Sequence, residues 1–256
     1  MRVTKRFWSL AAVPLLFAQC APDQCAPAPA PPPASPTYFG WIGVGGALSS
    51  DAACAAAVRG AGEIRPGNAG YNATTWGAWS PSFPRSTGSF TGTTDEIIQW
   101  AACKWGFDED TLRAQVAKES WWTQTNLGDW TTNPADCAPR HPIGADGRPG
   151  ECPESVGMMQ VRTPYFRDSV EGSLLSSSYN LDVALAVWRN CYEGGETWLN
   201  DVERGRQYAA GDAWGCIGRW FSGRWYTAPA VDYINAVQDY LNRRIWTTPE
   251  FINFRG

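Results

Sequence analysis

The chain has 256 residues, of which 44% are hydrophobic and 18% are charged. This composition is typical of a globular protein of one or two domains and excludes a chain that is disordered throughout. A single histidine, His141, excludes zinc sites that need two or more imidazole ligands, and we expect no metal or other cofactor. The formal net charge is −4, and no run of Lys or Arg follows the first residues, so we expect no nucleic acid partner.

The first twenty residues predict an export signal. Arg2, Lys5 and Arg6 precede an apolar run over residues 7–18, which has the length of a secretory signal and is too short to remain as a membrane span. Residues before Cys20 faintly resemble a bacterial lipoprotein box, so a lipid anchor at Cys20 is an alternative to release. We expect a secreted or cell-envelope protein and a monomer.

Domain organisation follows from changes in composition along the chain. After the signal at 1–20, the Pro- and Ala-rich stretch 21–37 predicts an extended linker. Residues 38–92 are Gly-, Ala- and Ser-rich, with one predicted helix at 50–59, and we interpret them as an appended N-terminal segment. The main domain is predicted over 93–247, and residues 248–256 as a C-terminal tail.

The eight cysteines of an exported chain predict disulfides and not a metal site, because no Cys-x-x-Cys pair occurs. Cys20 and Cys25 would pair only if processing leaves both in place. Among the other six cysteines, short sequence separation favours the pairs Cys137–Cys152 and Cys191–Cys216. Cys54–Cys103 is then the third predicted pair.

Helical patterns dominate the chain after residue 92. Thr93 and Glu96 form a capping box, and apolar residues at helical spacing follow until Gly106. A second helix opens with acidic residues from Asp108, which are favourable at a helix N-terminus. Strand signals are weak, so we predict a mainly α fold with a small β part (α+β). Further helices are predicted at 179–192, 197–209 and 229–245.

Glu119 is the main catalytic candidate. Leu112, Val116 and Glu119 lie on one face of the second helix, so the carboxyl points inward from its last turn. Trp121 and Trp122 follow directly, and desolvation among apolar side chains raises a carboxyl pKa. A carboxylic acid that stays protonated near neutral pH is suited to general acid catalysis. The alternative is that Glu119 caps a surface turn or pairs with a nearby basic residue.

A second motif follows a long loop between residues 119 and 156, which is rich in Asp, Asn, Pro and Gly and is therefore expected to be functional. Residues 155–164, with Gly157-Met158-Met159-Gln160 at their centre, resemble the Gly-Leu-Met-Gln signature of lytic transglycosylases and goose-type lysozymes. In that family the signature follows a helix that ends in Glu-Ser, as Glu119-Ser120 does here.

The resemblance covers roughly residues 93–247. Asn180-Leu181 resembles the family's next element, and the stretch from Tyr233 to Val237 resembles its closing helix. It implies a lysozyme-like fold, here with a long loop-rich insertion and the appended N-terminal segment. It also implies cleavage of β-1,4 bonds between amino sugars, with peptidoglycan or a related polymer as the partner.

The resemblance also suggests roles for site residues. Glu119 would be the general acid, and Asp129 matches the position of an Asp that positions water in the goose-type enzymes; its alternative is a solvated loop residue. Trp220-Phe221-Ser222-Gly223 stands where many members have Tyr-Asn-Ala-Gly, and Trp220 or Tyr226 would replace the missing Tyr. The expected substrate-binding residues are Gln160, Met159, Trp121, Trp122, Trp130, Ser155, Trp220 and Tyr226.

The far wall of the cleft is expected from residues 218–225, where Trp220 and Trp225 alternate with Arg219 and Arg224. The two arginines would meet acidic peptide stems or form a solvated basic loop. The competing function is a non-catalytic cell-wall or glycan-binding protein on the same fold. Glu119 discriminates between the two, because only the enzyme needs a desolvated acid in the cleft.

Overall fold

Helix α3 (Thr94–Trp105) begins and ends where its signals predict, in a computed structural model that describes residues 38–77 and 82–254. Thr93 N donates to the Glu96 carboxylate at 2.8 Å, and the Thr93 hydroxyl accepts from Glu96 N at 3.4 Å. Gly106 ends the helix in the left-handed conformation, with φ 64°. The predicted signal, the linker, Cys20 and Cys25 lie outside the described residues.

Helix α4 (Glu109–Ser120) carries the candidate acid in its last turn. The Asp108 carboxylate caps its start by accepting from Thr111 N at 2.8 Å. Leu112 and Val116 are fully buried, as the predicted inward face requires. Trp121 ends the helix in the left-handed conformation, with φ 54°.

The remaining helices confirm a mainly helical fold. The helices predicted at 50–59, 179–192 and 229–245 are present with shifted ends, while α5 and α7 are additional. The glycines of α7 lower its helix propensity but let it pack closely, since a Cβ on Gly215 would lie 2.3 Å from the Trp225 ring. The bounds are α1 (Asp51–Ala57), α2 (Ala69–Asn72), α5 (Arg167–Leu175), α6 (Ser177–Tyr192), α7 (Ala213–Ser222), α8 (Ala228–Asn242) and α9 (Pro249–Ile252).

The helix predicted at 197–209 is wrong. Only Thr197–Asn200 form a short 3-10 helix. The following residues pair with the loop after α7 instead, because Gly205 N donates to Trp225 O at 2.8 Å. Two other short 3-10 helices are described, Pro66–Asn68 and Ile245–Thr247.

A small antiparallel sheet lies within and just after the predicted long loop. Its strands are β1 (Leu127–Thr131), β2 (Cys152–Val156) and β3 (Val161–Arg162), in the order β1-β2-β3. Leu127 pairs with Val156, and Val156 pairs with Val161. The sheet therefore places β1 and the residues after β2 close to the end of α4.

The three predicted disulfides are confirmed, and they indicate an oxidising compartment. Cys54–Cys103 joins α1 to α3, Cys137–Cys152 closes the loop between β1 and β2, and Cys191–Cys216 joins α6 to α7. Within residues 38–77 and 82–254, no helix is long and apolar enough to span a bilayer.

The predicted boundaries at 92/93 and 247/248 mark no break in packing, and the described residues belong to one compact unit. In the segment 38–92, Asn68 is buried; its amide donates to Trp122 O at 2.7 Å and accepts from Gln124 N at 2.8 Å. In the predicted tail, Phe251 is fully buried and stacks on Trp121 with ring centroids 5.1 Å apart. Both segments therefore complete the core around the chain that follows α4.

A buried ion pair ties α3 to α6. Lys104 Nζ lies 2.7 Å from Asp182 Oδ2, and both side chains are fully buried. Trp105 Nε1 donates to the other Asp182 oxygen at 2.7 Å, and the backbone amides of Thr87 and Gly88 donate to Oδ2. These donors satisfy the buried carboxylate and fix the segment before α3 against the helices.

Candidate active site

A cleft of about 990 Å³ opens at the end of α4. Arg219 and Arg224 of the expected far wall line it, and it also brings together Glu119, Asp129, Gln160 and Trp220, as expected from the sequence. The last four residues come from four parts of the chain: α4, β1, the turn after β2, and α7. Concave sites with convergent polar groups are where ligands bind.

Tyr233 of α8 holds the Glu119 carboxyl. The Tyr233 hydroxyl donates a hydrogen bond to Glu119 Oε1, and the side chain of Gln115, one turn before Glu119 on α4, acts to lower the pKa of that hydroxyl. Tyr233 is buried, so its hydrogen bond fixes one carboxyl oxygen. No side chain among the described residues donates to Glu119 Oε2.

Burial raises the pKa of Glu119 to about 7. The hydrogen bond from Tyr233 and the charge of Lys118 act in the opposite direction, because both favour the carboxylate, while the negative charge of Asp129 raises the pKa further. At neutral pH a large fraction of Glu119 is therefore protonated.

Asp129 faces Glu119 across the cleft from the middle of β1. The Ser155 hydroxyl on β2 donates to Asp129 Oδ2, and Arg162 Nε lies 3.9 Å from the same oxygen. Arg162 Nε also forms an ion pair with Glu154 Oε2, at 2.5 Å. Asp129 has φ 49°, an uncommon backbone conformation for which Asp is one of the tolerated residues.

Side chains from three other parts of the chain hold the backbone of the turn between β2 and β3 in place. The Ser120 hydroxyl donates to Met158 O at 2.9 Å, Met159 N donates to Asn180 Oδ1 at 2.8 Å, and Trp220 Nε1 donates to Met159 O at 3.1 Å. Gly157 has φ 81°, and a Cβ there would lie 2.2 Å from Asn180 Nδ2, so only Gly fits. The Glu-Ser end of α4 is thus tied directly to the motif.

Gln160 presents its side chain to the cleft from the end of this turn. Its Nε2 donates to Gly157 O at 2.8 Å and to Asn126 O at 3.2 Å. These bonds use both amide protons, so the side-chain oxygen is the group left for a ligand. That oxygen lies close to Gly128 of β1, where a Cβ would approach it to 2.3 Å.

Aromatic side chains line the cleft, but they are largely not the expected ones. Trp220 stacks on Phe166 with ring centroids 5.7 Å apart, and Phe221 stacks on Tyr233 at 4.8 Å and 1° between planes. Phe221 is 57% exposed. Two more exposed rings lie in the lining, those of Tyr165 and Trp198.

Several expected cleft residues lie elsewhere. Trp122 is 1% exposed and its Nε1 donates to Arg113 O at 2.9 Å, so it is core. Trp121 packs between Tyr240, Phe251 and Phe254. Those expectations are wrong because left-handed residues at 121 and 122, with φ 54° and 63°, turn the chain away from the cleft.

Four other residues expected to line the cleft lie outside its lining. Trp225 is fully buried, and Met159 and Ser155 are buried too; Ser155 acts on Asp129 instead of on a ligand. Trp130 has one ring face covered by the Arg148 guanidinium, 4.1 Å from its centroid. None of these four side chains is part of the cleft lining.

The tyrosine beside the acid is Tyr233, not Tyr226 or Trp220. The Tyr226 hydroxyl donates to Asp212 at 2.9 Å, away from the cleft. Tyr233 lies four residues before Val237, so both share the buried face of α8. That spacing is present in the sequence and indicates an inward tyrosine, although it does not indicate which acid it contacts.

No group of three His, Cys, Asp or Glu side chains in the described parts of the chain is placed to hold a metal ion. Comparisons of the chain with protein-family models, curated proteins and solved structures found no match.

Replacing Glu119 with Gln should stabilise the protein at pH 8 and have little effect at pH 4. The carboxyl has a pKa raised to about 7 in the folded state against 4.5 as its ordinary value. Below pH 4.5 it is protonated whether folded or unfolded, and as the pH rises towards 7 only the unfolded chain releases the proton, so stability falls.

The expected gain for Glu119→Gln at pH 8 is about 2–3 kcal/mol in the free energy of unfolding. Urea unfolding of both proteins at the two pH values measures it. Equal stability of the two proteins at pH 8 would show that Glu119 is an ordinary solvated carboxylate.

Proposed function

We propose that this protein cleaves β-1,4 bonds between the amino sugars of peptidoglycan or a related polymer, as a lysozyme-like glycosidase or a lytic transglycosylase. The observation that carries the proposal is the pKa of Glu119, raised to about 7 in a cleft lined by exposed aromatic rings. A protonated carboxyl supplies a general acid, and aromatic faces pack against sugar rings.

Support for a lysozyme-like fold comes from the arrangement around the acid. Glu119 ends a buried helix, a small antiparallel sheet follows it, and the Gly157–Gln160 turn is bonded back to Ser120. The order Glu-Ser, then Gly-Met-Met-Gln, is the order of the family that the sequence resembles. The three disulfides agree with action outside the cytoplasm.

In the proposed reaction the Glu119 proton is transferred from Oε2 to the glycosidic oxygen, because Oε1 is bound to Tyr233. The bond between C1 and that oxygen breaks, and its electron pair stays on the leaving oxygen. The sugar becomes oxocarbenium-like. Water or the sugar's own 6-hydroxyl then attacks C1 and returns a proton to the Glu119 carboxylate, which gives a reducing end or an anhydro sugar respectively.

Asp129 has one of two roles in this scheme. In hydrolysis its carboxylate would hold the attacking water in position while the water's proton passes to the Glu119 carboxylate, so the rate would depend on Asp129. In transglycosylation the substrate supplies the nucleophile, and Asp129 acts only by raising the pKa of Glu119. Mass spectrometry of the products separates the two reactions.

Glu119→Gln should lower the rate of peptidoglycan cleavage by at least about 100-fold, since general acid catalysis contributes that much or more. Loss of turbidity of purified peptidoglycan and mass analysis of soluble products measure it. The control is Glu171→Gln, which breaks an exposed ion pair with Arg140 outside the cleft and should leave the rate unchanged.

Equal rates in wild type and Glu119→Gln would remove Glu119 from the mechanism. Binding of peptidoglycan by both proteins with no cleavage by either would favour the non-catalytic wall-binding protein, for which the exposed rings of Tyr165, Trp198 and Phe221 supply a binding surface.

Asp129→Asn and Tyr233→Phe should move the alkaline limb of the pH–activity profile in opposite directions. Asp129 raises the pKa of Glu119 and the Tyr233 hydroxyl lowers it. Activity needs protonated Glu119, so it falls as pH rises through that pKa. The limb should therefore move to lower pH in Asp129→Asn and to higher pH in Tyr233→Phe.

The profiles of kcat/KM against pH for the three proteins test this directly. A shift in the same direction for both variants, or none, would contradict the assignment of the limb to Glu119. Retention of most activity by Asp129→Asn at its new optimum would favour transglycosylation, and a loss at every pH would favour hydrolysis.

A further inference from the structure

The cleft differs in charge from the protein as a whole. The chain has a formal net charge of −4, yet the lining of the cleft contains four basic side chains and two acidic ones, of which Glu119 is largely neutral when it acts as an acid. The basic residues are Lys118, Arg162, Arg219 and Arg224.

Two of these four cations are already neutralised by protein carboxylates. Arg162 Nε is 2.5 Å from Glu154. Arg219 forms a largely buried pair with Glu196, whose Oε1 accepts from Arg219 Nη2 at 2.7 Å. Neither is available as an unpaired charge for a ligand.

Lys118 and Arg224 differ from them. Both are exposed, and neither pairs with a carboxylate within residues 38–77 and 82–254. Arg224 donates only to the carbonyl of Gly223, at 3.0 Å, and its own amide donates to Ser222 Oγ at 3.1 Å. The guanidinium is therefore presented by a loop whose backbone is held in place.

Both cations line the cleft that holds the candidate acid, on separate elements. Lys118 immediately precedes Glu119, and its charge acts on the Glu119 carboxyl. Arg224 follows α7, where Phe221 stacks on Tyr233, the tyrosine that bonds to Glu119.

A neutral amino-sugar polymer offers no anion to these two cations, whereas carboxylates pair with Lys and bind Arg in a bidentate manner. We propose that Lys118 and Arg224 bind carboxylates carried by substituents of the sugar chain, so that the cleft selects acidic glycan strands over neutral ones. This inference rests on the proposed function and specifies which substrates the site accepts.

Binding measured in the Glu119→Gln background tests the inference without cleavage. The three ligands are soluble peptidoglycan strands that carry their peptides, the same strands after an amidase has removed the peptides and left lactyl carboxylates, and chitin hexasaccharide, which has no carboxylate. Isothermal titration calorimetry gives the Kd of each, at low and at high NaCl concentration.

Arg224→Gln or Lys118→Gln, each added to the Glu119→Gln protein, should raise the Kd for the acidic strands about fivefold, the upper range for an exposed ion pair. The Kd for chitin hexasaccharide should stay unchanged. High salt should remove the difference. Loss confined to peptide-bearing strands would identify peptide carboxylates as the ligand, loss confined to stripped strands would identify lactyl carboxylates, and equal loss on both would show that the two cations accept either. Arg243→Gln is the control, because it pairs with Asp239 on the surface of α8.

Equal weakening for chitin hexasaccharide, or no weakening for any ligand, would overturn carboxylate recognition and leave the proposed cleavage reaction standing. Failure of the protein to bind or cleave any of the three would overturn the proposed function and this inference together.

Discussion

The rest of the cleft is arranged around a half-buried carboxyl group, one oxygen of which accepts from Tyr233 while the other has no side-chain donor among the described residues. Packing of α8 against α4 brings the Tyr233 hydroxyl onto Glu119 Oε1. Desolvation alone would raise the pKa further, and the Tyr233 hydrogen bond limits the rise. The balance leaves a group near the pKa at which proton transfer is most efficient.

The opposite wall of the cleft, which carries Gln160 and Asp129, is positioned by hydrogen bonds from other parts of the chain. Ser120, Asn180 and Trp220 bond to the backbone of the turn after β2, which orients Gln160. Pairing of β1 with β2 puts Ser155 beside Asp129. A change in any of these supports would move a cleft residue without removing it, so the geometry of the site depends on backbone interactions across the motif.

Much of this arrangement could be predicted from residue spacing. The inward direction of Glu119 follows from its spacing to Val116, and the disulfide partners follow from sequence separation, because both are local properties of the chain. Trp121 and Trp122 could not be placed in this way: helical spacing assumes that the helix continues, whereas two successive left-handed residues redirect the chain. Tyr165 and Phe221 were missed because exposure depends on which elements pack nearby, and a sequence pattern does not report that.

The proposed reaction depends above all on the pKa of the Glu119 carboxyl. Carbon-detected NMR titration of the protein labelled at its Glu side-chain carboxyl carbons, with Glu119→Gln to assign the resonance, measures it directly. We expect a titration with a midpoint of about 7. A midpoint near 4.5, the ordinary value for Glu, would contradict it, because Glu119 would then be ionised at neutral pH and would have no proton to donate.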